Sequence, residues 1–411
     1  MSNFPIFSVL GIEIEYMLVD KDSLNVQPKS DLILSALTGG QLVNEVVIDE
    51  IGISNELVMH VLEFKNNGPK PLDAPFNQHF QNTILKLQPV LEQHNLMLLP
   101  TGAHPWMNPH KETVRWPHGS NAIYKQFDSI FDCKGHGWAN LQSMHVNLPY
   151  SNQEEFCQLH NVIRLILPML PALAASSPIL DGKATGLLDS RLYFYSRNQQ
   201  RIPSISGDII PDFIITEDEY LEKILEPMYR DISPFDPDGI LQHQWLNSRA
   251  AIPKLDHKAI EIRILDSQEC VEADIAIAKV IHAILQYWQK ASNYYLYKPC
   301  DTKRLKQVFD QTIEQGLAVK IDDSELMDQW QLPHRTMPLR EIWSQLIERV
   351  SSELEHKEQL ALELILSHGN LSERILRTAG KDKDKNIDKK LLQRVYHQLA
   401  HCLLSNQQFI P

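Results

Sequence analysis

No glycine loop that could cradle phosphate occurs in the 411 residues. Neither GxxxxGK[ST] nor GxGxxG is present, which leaves out both a P-loop and a Rossmann phosphate site. HExxH and GxSxG are missing as well. Cysteine is sparse: Cys133, Cys157, Cys270, Cys300 and Cys402 are dispersed, odd in number and without CxxC spacing. That pattern fits reduced thiols better than a disulfide scaffold or a zinc site. Positive charge is in deficit, with 39 Lys and Arg against 52 Asp and Glu, for a formal net charge of -13. This argues against non-specific binding to nucleic acid or to an anionic membrane, while leaving room for a local basic pocket. The opening MSNFPIFSVLG lacks the basic segment and long apolar run of a signal peptide. Apolar stretches such as LILPMLPALAA are too short and too broken by proline to span a bilayer. The expectation is a cytoplasmic globular protein working on small molecules, with neither nucleic acid nor membrane as partner.

What is present has ordinary globular composition, 43% hydrophobic and 22% charged, and length enough for more than one domain. Residues 1 to about 70 are rich in β-favouring runs, ending at NNGP, a turn signal. Helical spacing follows in DAPFNQHFQNTILKLQPVLEQHN, then strands in LMLLPTGAHP and LQSMHVNLPY. Residues 152–176 form a helical run in which Pro168 and Pro171 introduce a kink. The stretch 181–240, rich in Gly, Pro, Ser and Asp, favours long loops. A last strand spans 258–266, and after Asp274 the pattern stays helical: through 292, then 301–316, 338–366, about 371–378 and 388–404. Residues 380–390 read as a charged, solvated connector. The layout is an α+β domain over 1–295 and a helical C-terminal region over 296–411.

Three of the strands carry polar pairs at i and i+2, the spacing that puts both side chains on one face. They are Glu13 with Glu15, His145 with Asn147, and Glu261 with Arg263. One such pair is most simply a solvated strand surface. Three together suggest a sheet face that is polar by design. Carboxylates facing one another repel unless a cation sits between them, and Mg2+ (or Mn2+) takes oxygen ligands of this kind. Glu56 and Glu63 in NELVMHVLEF could add ligands. Their odd spacing keeps a single straight strand from presenting both, and Glu63 is preferred because it lies in the better strand. His60 reads as structural or outward-facing, and His145 as a ligand or a phosphate contact, although a lone His is more often just hydrogen-bonded. Arg191, Arg197, Arg201 and Arg249 precede Arg263 in loop-rich sequence, and guanidinium groups suit phosphate or carboxylate.

The ordered set GIEIEYMLVD, NELVMHVLEFKNNG, LMLLPTGAHP, LQSMHVNLPY and AIEIRILDSQEC resembles the glutamate–cysteine ligase type 2 (carboxylate–amine ligase) family. That family is related to glutamine synthetase, and the resemblance covers roughly residues 8–285. It implies a glutamine-synthetase-like, curved and mainly antiparallel sheet flanked by helices, with ATP as co-substrate. By this resemblance Glu13, His145 and Glu261 would hold a metal at the nucleotide phosphates, and Glu15, Glu63 and Glu56 one nearer the amino-acid substrate. Arg263 would stabilise the phosphoryl group in transfer, Asn147 would contact ATP or phosphate, and Arg191 and Arg249 would contact substrate. The reaction would activate an amino-acid-like carboxylate as an acyl phosphate and join it to an amine. Two departures stand out: Ile14 separates Glu13 and Glu15 where the family opening is often GxEEE, and Asn147 replaces the second His of an HxH pair. The alternatives are kinase-like phosphoryl transfer on the same sheet and an inactive ligand-binding relative. Assembly into a homo-oligomer stays open.

Overall fold

The computed structural model describes residues 4–291, 299–383 and 385–411. Its centre is an antiparallel sheet of eight strands in the order β2-β3-β4-β1-β6-β10-β9, with β5 also paired to β1. The strands are β1 (Gly11–Asp20), β2 (Glu45–Ile48), β3 (Ile51–Asn55), β4 (Val61–Asn66), β5 (Leu96–Leu99), β6 (Ser143–Pro149), β9 (Ala251–Lys254) and β10 (Ala259–Asp266). A small ribbon, β7 (Ile179–Leu180) with β8 (Lys183–Ala184), lies apart from it.

Alternation along the strands sets the two faces. Ile12, Ile14 and Tyr16 of β1 stand beside Leu62 and Phe64 of β4, and beside Met144 and Val146 of β6. All are buried in one apolar cluster with Phe80, Ile84 and Leu87 of helix Phe76–Gln93 and with residues of helix Val271–Ala291. Burying each such side chain is worth about 1.5–3 kcal/mol, so the register is strongly specified. The opposite face changes character along β1. Glu13 and Glu15 occupy its first half, whereas Met17 and Val19 join a second apolar cluster with Leu392, Val395, Tyr396 and Leu399 of the C-terminal helix Lys389–Ser405. The last helix therefore bounds the polar face.

The run 153–174 is continuous: helix Gln153–Ile166, a 3-10 turn at Leu167–Met169 around Pro168, and helix Leu170–Ala174. By length and composition it could cross a membrane, but 94% of its apolar window is buried within the fold. Trp330 and Trp343 from the helical C-terminal region donate to the carbonyls of Leu165 and Met169 in this run. The two regions thus share packing, and the expected boundary at 295/296 lies outside the described residues.

Three expectations change. The stretch 181–240 contains helix Ser190–Tyr195 and a helical run over Glu217–Ile232. Asp189 and Thr216 cap these helices, and Tyr220, Ile224, Met228 and Ile232 supply a buried stripe that the loop-like composition masked. The single helix expected over 338–366 is two, Leu339–Val350 and His356–His368, the second started by a capping box of Glu355 and Glu358. The strand-rich opening also holds helix Ser30–Leu37, and helix Asn121–Phe131 lies in sequence that carries no expected element.

Candidate functional site

Register brings the predicted polar residues together. Glu15 pairs with Glu63, Glu13 with both Lys65 and His145, and Glu261 with Asn147, so their side chains share the face opposite the main core. Glu56 lies just past β3, in the connection to β4. That connection lets Glu56 and Glu63 converge although one straight strand could not present both. Ligand atoms of Glu15, Glu56 and Glu63 lie within 4.8 Å of one another, and so do those of Glu13, Glu63 and His145. Glu63 is common to both groups.

Short-range bonds fix these groups. His145 Nδ1 lies 3.0 Å from Glu13 Oε2, and Asn147 Nδ2 donates to Glu13 Oε1 at 3.1 Å. Asparagine at 147 thus orients a carboxylate. The backbone N–H and the hydroxyl of Ser143 donate to Glu15 Oε2 at 2.7 and 3.0 Å. Ser54 donates to Glu63 Oε1 at 3.0 Å, and Lys65 Nζ stands 3.2 Å from the same oxygen. Glu261 pairs with Arg263 Nε at 3.3 Å and closely with Lys254, whose ammonium is 3.7 Å from Glu13 Oε1.

The electrostatics differ across the face. Burial would raise Glu13, but the His145 hydrogen bond and the charges of Lys254, His145 and Lys65 outweigh it and hold Glu13 well below the usual carboxylate range. Burial, then the neighbouring Glu13 carboxylate, pushes Glu63 up to about 7. Burial, then Glu63 and Glu15, pushes Glu56 up well above its ordinary value. Burial opposes charge on His145, yet Glu13 and Glu261 raise it overall. One end of the face is therefore balanced by cations, and the Glu15–Glu56–Glu63 end is not. Buried oxygen donors crowded with too little positive charge are the donor set that a hard divalent cation fits.

Arg263 extends the face, its Nη1 donating to the Asn247 carbonyl at 3.3 Å. Arg191 and Arg249 are engaged inside the fold. Arg191 is buried and ion-paired with Asp266, its Nη2 without a hydrogen-bond partner among the described residues. Arg249 donates to the Ser204 carbonyl at 3.2 Å and lies 3.7 Å from Asp212. Arg197 and Arg201 are exposed, stacked on Tyr193 and Phe235. His60 is buried on the Ala139 carbonyl at 2.7 Å, and burial brings it down to about 4. Sequence reasoning missed Lys65, Ser143 and Lys254. The first two stand at i±2 from Glu63 and His145, the same signal that found the pairs. Lys254 enters from an edge strand that carries no such pair.

Beside Glu13 the face opens into a cavity of about 510 Å³, whose lining includes Phe4, Val9, Lys65, Asn147, Pro149 and Lys254. Its lining mixes apolar groups, Phe4, Val9 and Pro149, with the cations of Lys65 and Lys254 and the polar Asp256 and His257.

A 278-residue stretch is 37% identical to an uncharacterised protein of Archaeoglobus fulgidus, covering 68% of this chain and 74% of that one. A protein of Bradyrhizobium diazoefficiens, provisionally named glutamate–cysteine ligase 2, is 26% identical over 286 residues, covering 67% of this chain and 58% of that one. The fold is similar to the glutamate–cysteine ligase of Francisella tularensis solved with AMP, at TM-score 0.64 and 14% identity over 98% of this chain and 90% of that one. It is also similar to a bifunctional glutathione synthetase of Pasteurella multocida, at TM-score 0.53 and 12% identity over 96% of this chain and 52% of that one. The description "glutamate-cysteine ligase family 2" matches residues 9–398, nearly the whole chain, and the chain belongs to that family.

Proposed function

We propose that the protein is an ATP- and magnesium-dependent ligase that joins a carboxylate, foremost the γ-carboxyl of glutamate, to an amine. The observation that carries this reading is the pair of ligand clusters that share Glu63 on one sheet face, Glu13–Glu63–His145 and Glu15–Glu56–Glu63, beside a cavity of about 510 Å³. Pockets of this size bury small-molecule ligands, and a lining that combines apolar Phe4, Val9 and Pro149 with the cations of Lys65 and Lys254 suits a nucleotide. The family and the AMP-bound structural neighbour support the same assignment.

Glu13, His145 and Glu261 would hold one Mg2+ at the phosphates, and Glu15, Glu56 and Glu63 another nearer the amino acid. Bound there, Mg2+ neutralises negative charge on phosphate and carboxylate oxygens. The chain's own groups do the rest. His145 and Asn147 orient Glu13, and Ser143 orients Glu15, so the face is preorganised. Arg263, aligned by Glu261 and the Asn247 carbonyl, presents its guanidinium to the phosphoryl group in transfer. A substrate carboxylate oxygen attacks the γ-phosphorus, and ADP leaves with the electron pair of the broken P–O bond. The amine nitrogen then attacks the acyl carbon of the acyl phosphate, the C–O bond to phosphate breaks, and inorganic phosphate leaves as the nitrogen loses a proton. We read the protein as cytoplasmic, a reading that its free cysteines support.

The test is ADP release by the purified protein with ATP, Mg2+ and glutamate, alone and then with a panel of amines and amino acids that includes cysteine. Release requiring both partners, with an amide product, is the expected result. Stoichiometric release with one organic substrate and a phosphorylated product would instead identify a kinase.

A further inference from the structure

Lys254 ends β9, at the edge of the sheet, and its side chain is 30% exposed. Its ammonium contacts Glu261 and lies 3.7 Å from Glu13, so it supplies positive charge between two of the three residues of the nucleotide-side set. A divalent cation bound by Glu13 and Glu261 would take the same carboxylate oxygens and repel the ammonium. The four-carbon stem of lysine turns readily, whereas the Arg263 guanidinium is held by the Asn247 carbonyl as well as by Glu261. Lys254 also lines the cavity, together with Gly11, Lys65, Asn147 and Asp256, so a second partner for it lies at hand there.

We propose that Lys254 exchanges partners during loading: it holds Glu13 and Glu261 together in the metal-free protein, then moves to the nucleotide phosphates when metal takes those carboxylates. Its two roles have opposite signs for ligand binding. It competes with Mg2+ alone and cooperates with Mg·ADP. Metal and nucleotide are thereby coupled through one side chain, and the site is protected from collapse by carboxylate repulsion before loading. This inference rests on the ligase reading above.

The test is calorimetric titration of wild-type protein and K254M with Mg2+ alone and with ADP at saturating Mg2+. Mg2+ alone is expected to bind K254M more tightly. Mg·ADP is expected to bind it about tenfold or more weakly, the loss of a charge-assisted phosphate contact. Weakening of both, or unchanged ADP affinity, would overturn the exchange and leave Lys254 a structural clamp. Should K254M fail to fold, acetylation of Lys254 in the wild-type protein, followed by mass spectrometry, serves instead. Labelling should be low without metal, high with Mg2+ and low again with Mg·ADP; a rate indifferent to ligands would overturn the proposal. Wild-type protein that binds no Mg·ADP would overturn the ligase reading itself, whereas binding indifferent to residue 254 would overturn only this inference.

Discussion

Glu15 and Glu63 face each other directly across the β1–β4 ladder, both buried. Like charges opposite one another destabilise a sheet, and burial makes the repulsion worse. Lys65 and Ser54 relieve only Glu63, and Ser143 only Glu15. In the proposed reading, a bound cation would turn that repulsion into binding energy. Glu63→Gln is accordingly expected to raise the melting temperature of the metal-free protein while weakening Mg2+ binding at least about tenfold and turnover at least about 100-fold. Thermal unfolding, titration and ADP release on one preparation check the three effects.

Metal-free stability should depend on pH in a defined direction. Burial, then the charge of Glu13, places Glu63 at about 7 in the folded protein against 4.5 for the unperturbed group. The folded state therefore keeps a proton that the unfolded chain releases. The associated stability is fully present below about pH 4.5 and is lost as pH rises through about 7, on the order of 3 kcal/mol at pH 8. Glu56, pushed up in the same direction, adds to the trend. Melting curves in chelator should fall between about pH 5.5 and pH 8, and added Mg2+ should restore more at the upper end.

Arg263 is held from two sides, by Glu261 and the Asn247 carbonyl, so its guanidinium is preorganised. Arg263→Ala should lower kcat by about 100-fold or more while changing ADP affinity by less than about tenfold. Steady-state kinetics beside ADP titration separates the two. A loss confined to nucleotide affinity would make Arg263 a binding group only.

The C-terminal helices are tied to the turn after β10 by a fully buried ion pair between Arg374 and Glu269. Glu269 also accepts from the Phe409 backbone N–H at 3.0 Å. Arg374→Met leaves that carboxylate buried without its charge partner and should cost about 3–5 kcal/mol. Chemical denaturation measures the loss directly.

The site was legible because a sheet face has period two. Glu13/Glu15, His145/Asn147 and Glu261/Arg263 can be read as pairs in sequence, and the ladder then needs only the correct strand order to align them. Glu56 was harder, since its position depends on the connection after Asn55 rather than on strand alternation. Lys254 was invisible for a different reason: Glu13 comes from a strand far away in sequence, and Glu261, although on the next strand, meets it only across the β9–β10 ladder. Among the elements, the helical run over Glu217–Ile232 was hidden by surrounding Gly, Pro and Asp, although its apolar stripe and acidic first turn were present. Arg191 looked like a loop residue with an accessible charge. The structure buries it against Asp266, a partner 75 positions away that no local pattern announces.

In the proposed reaction a substrate carboxylate is phosphorylated on this face before an amine displaces the phosphate. Glutamate carrying 18O in its γ-carboxyl, turned over with ATP, Mg2+ and an accepted amine, tests it most directly. An acyl phosphate passes one labelled oxygen to the released inorganic phosphate, and the account predicts that transfer in step with amide formation. Amide formed with unlabelled phosphate would contradict it.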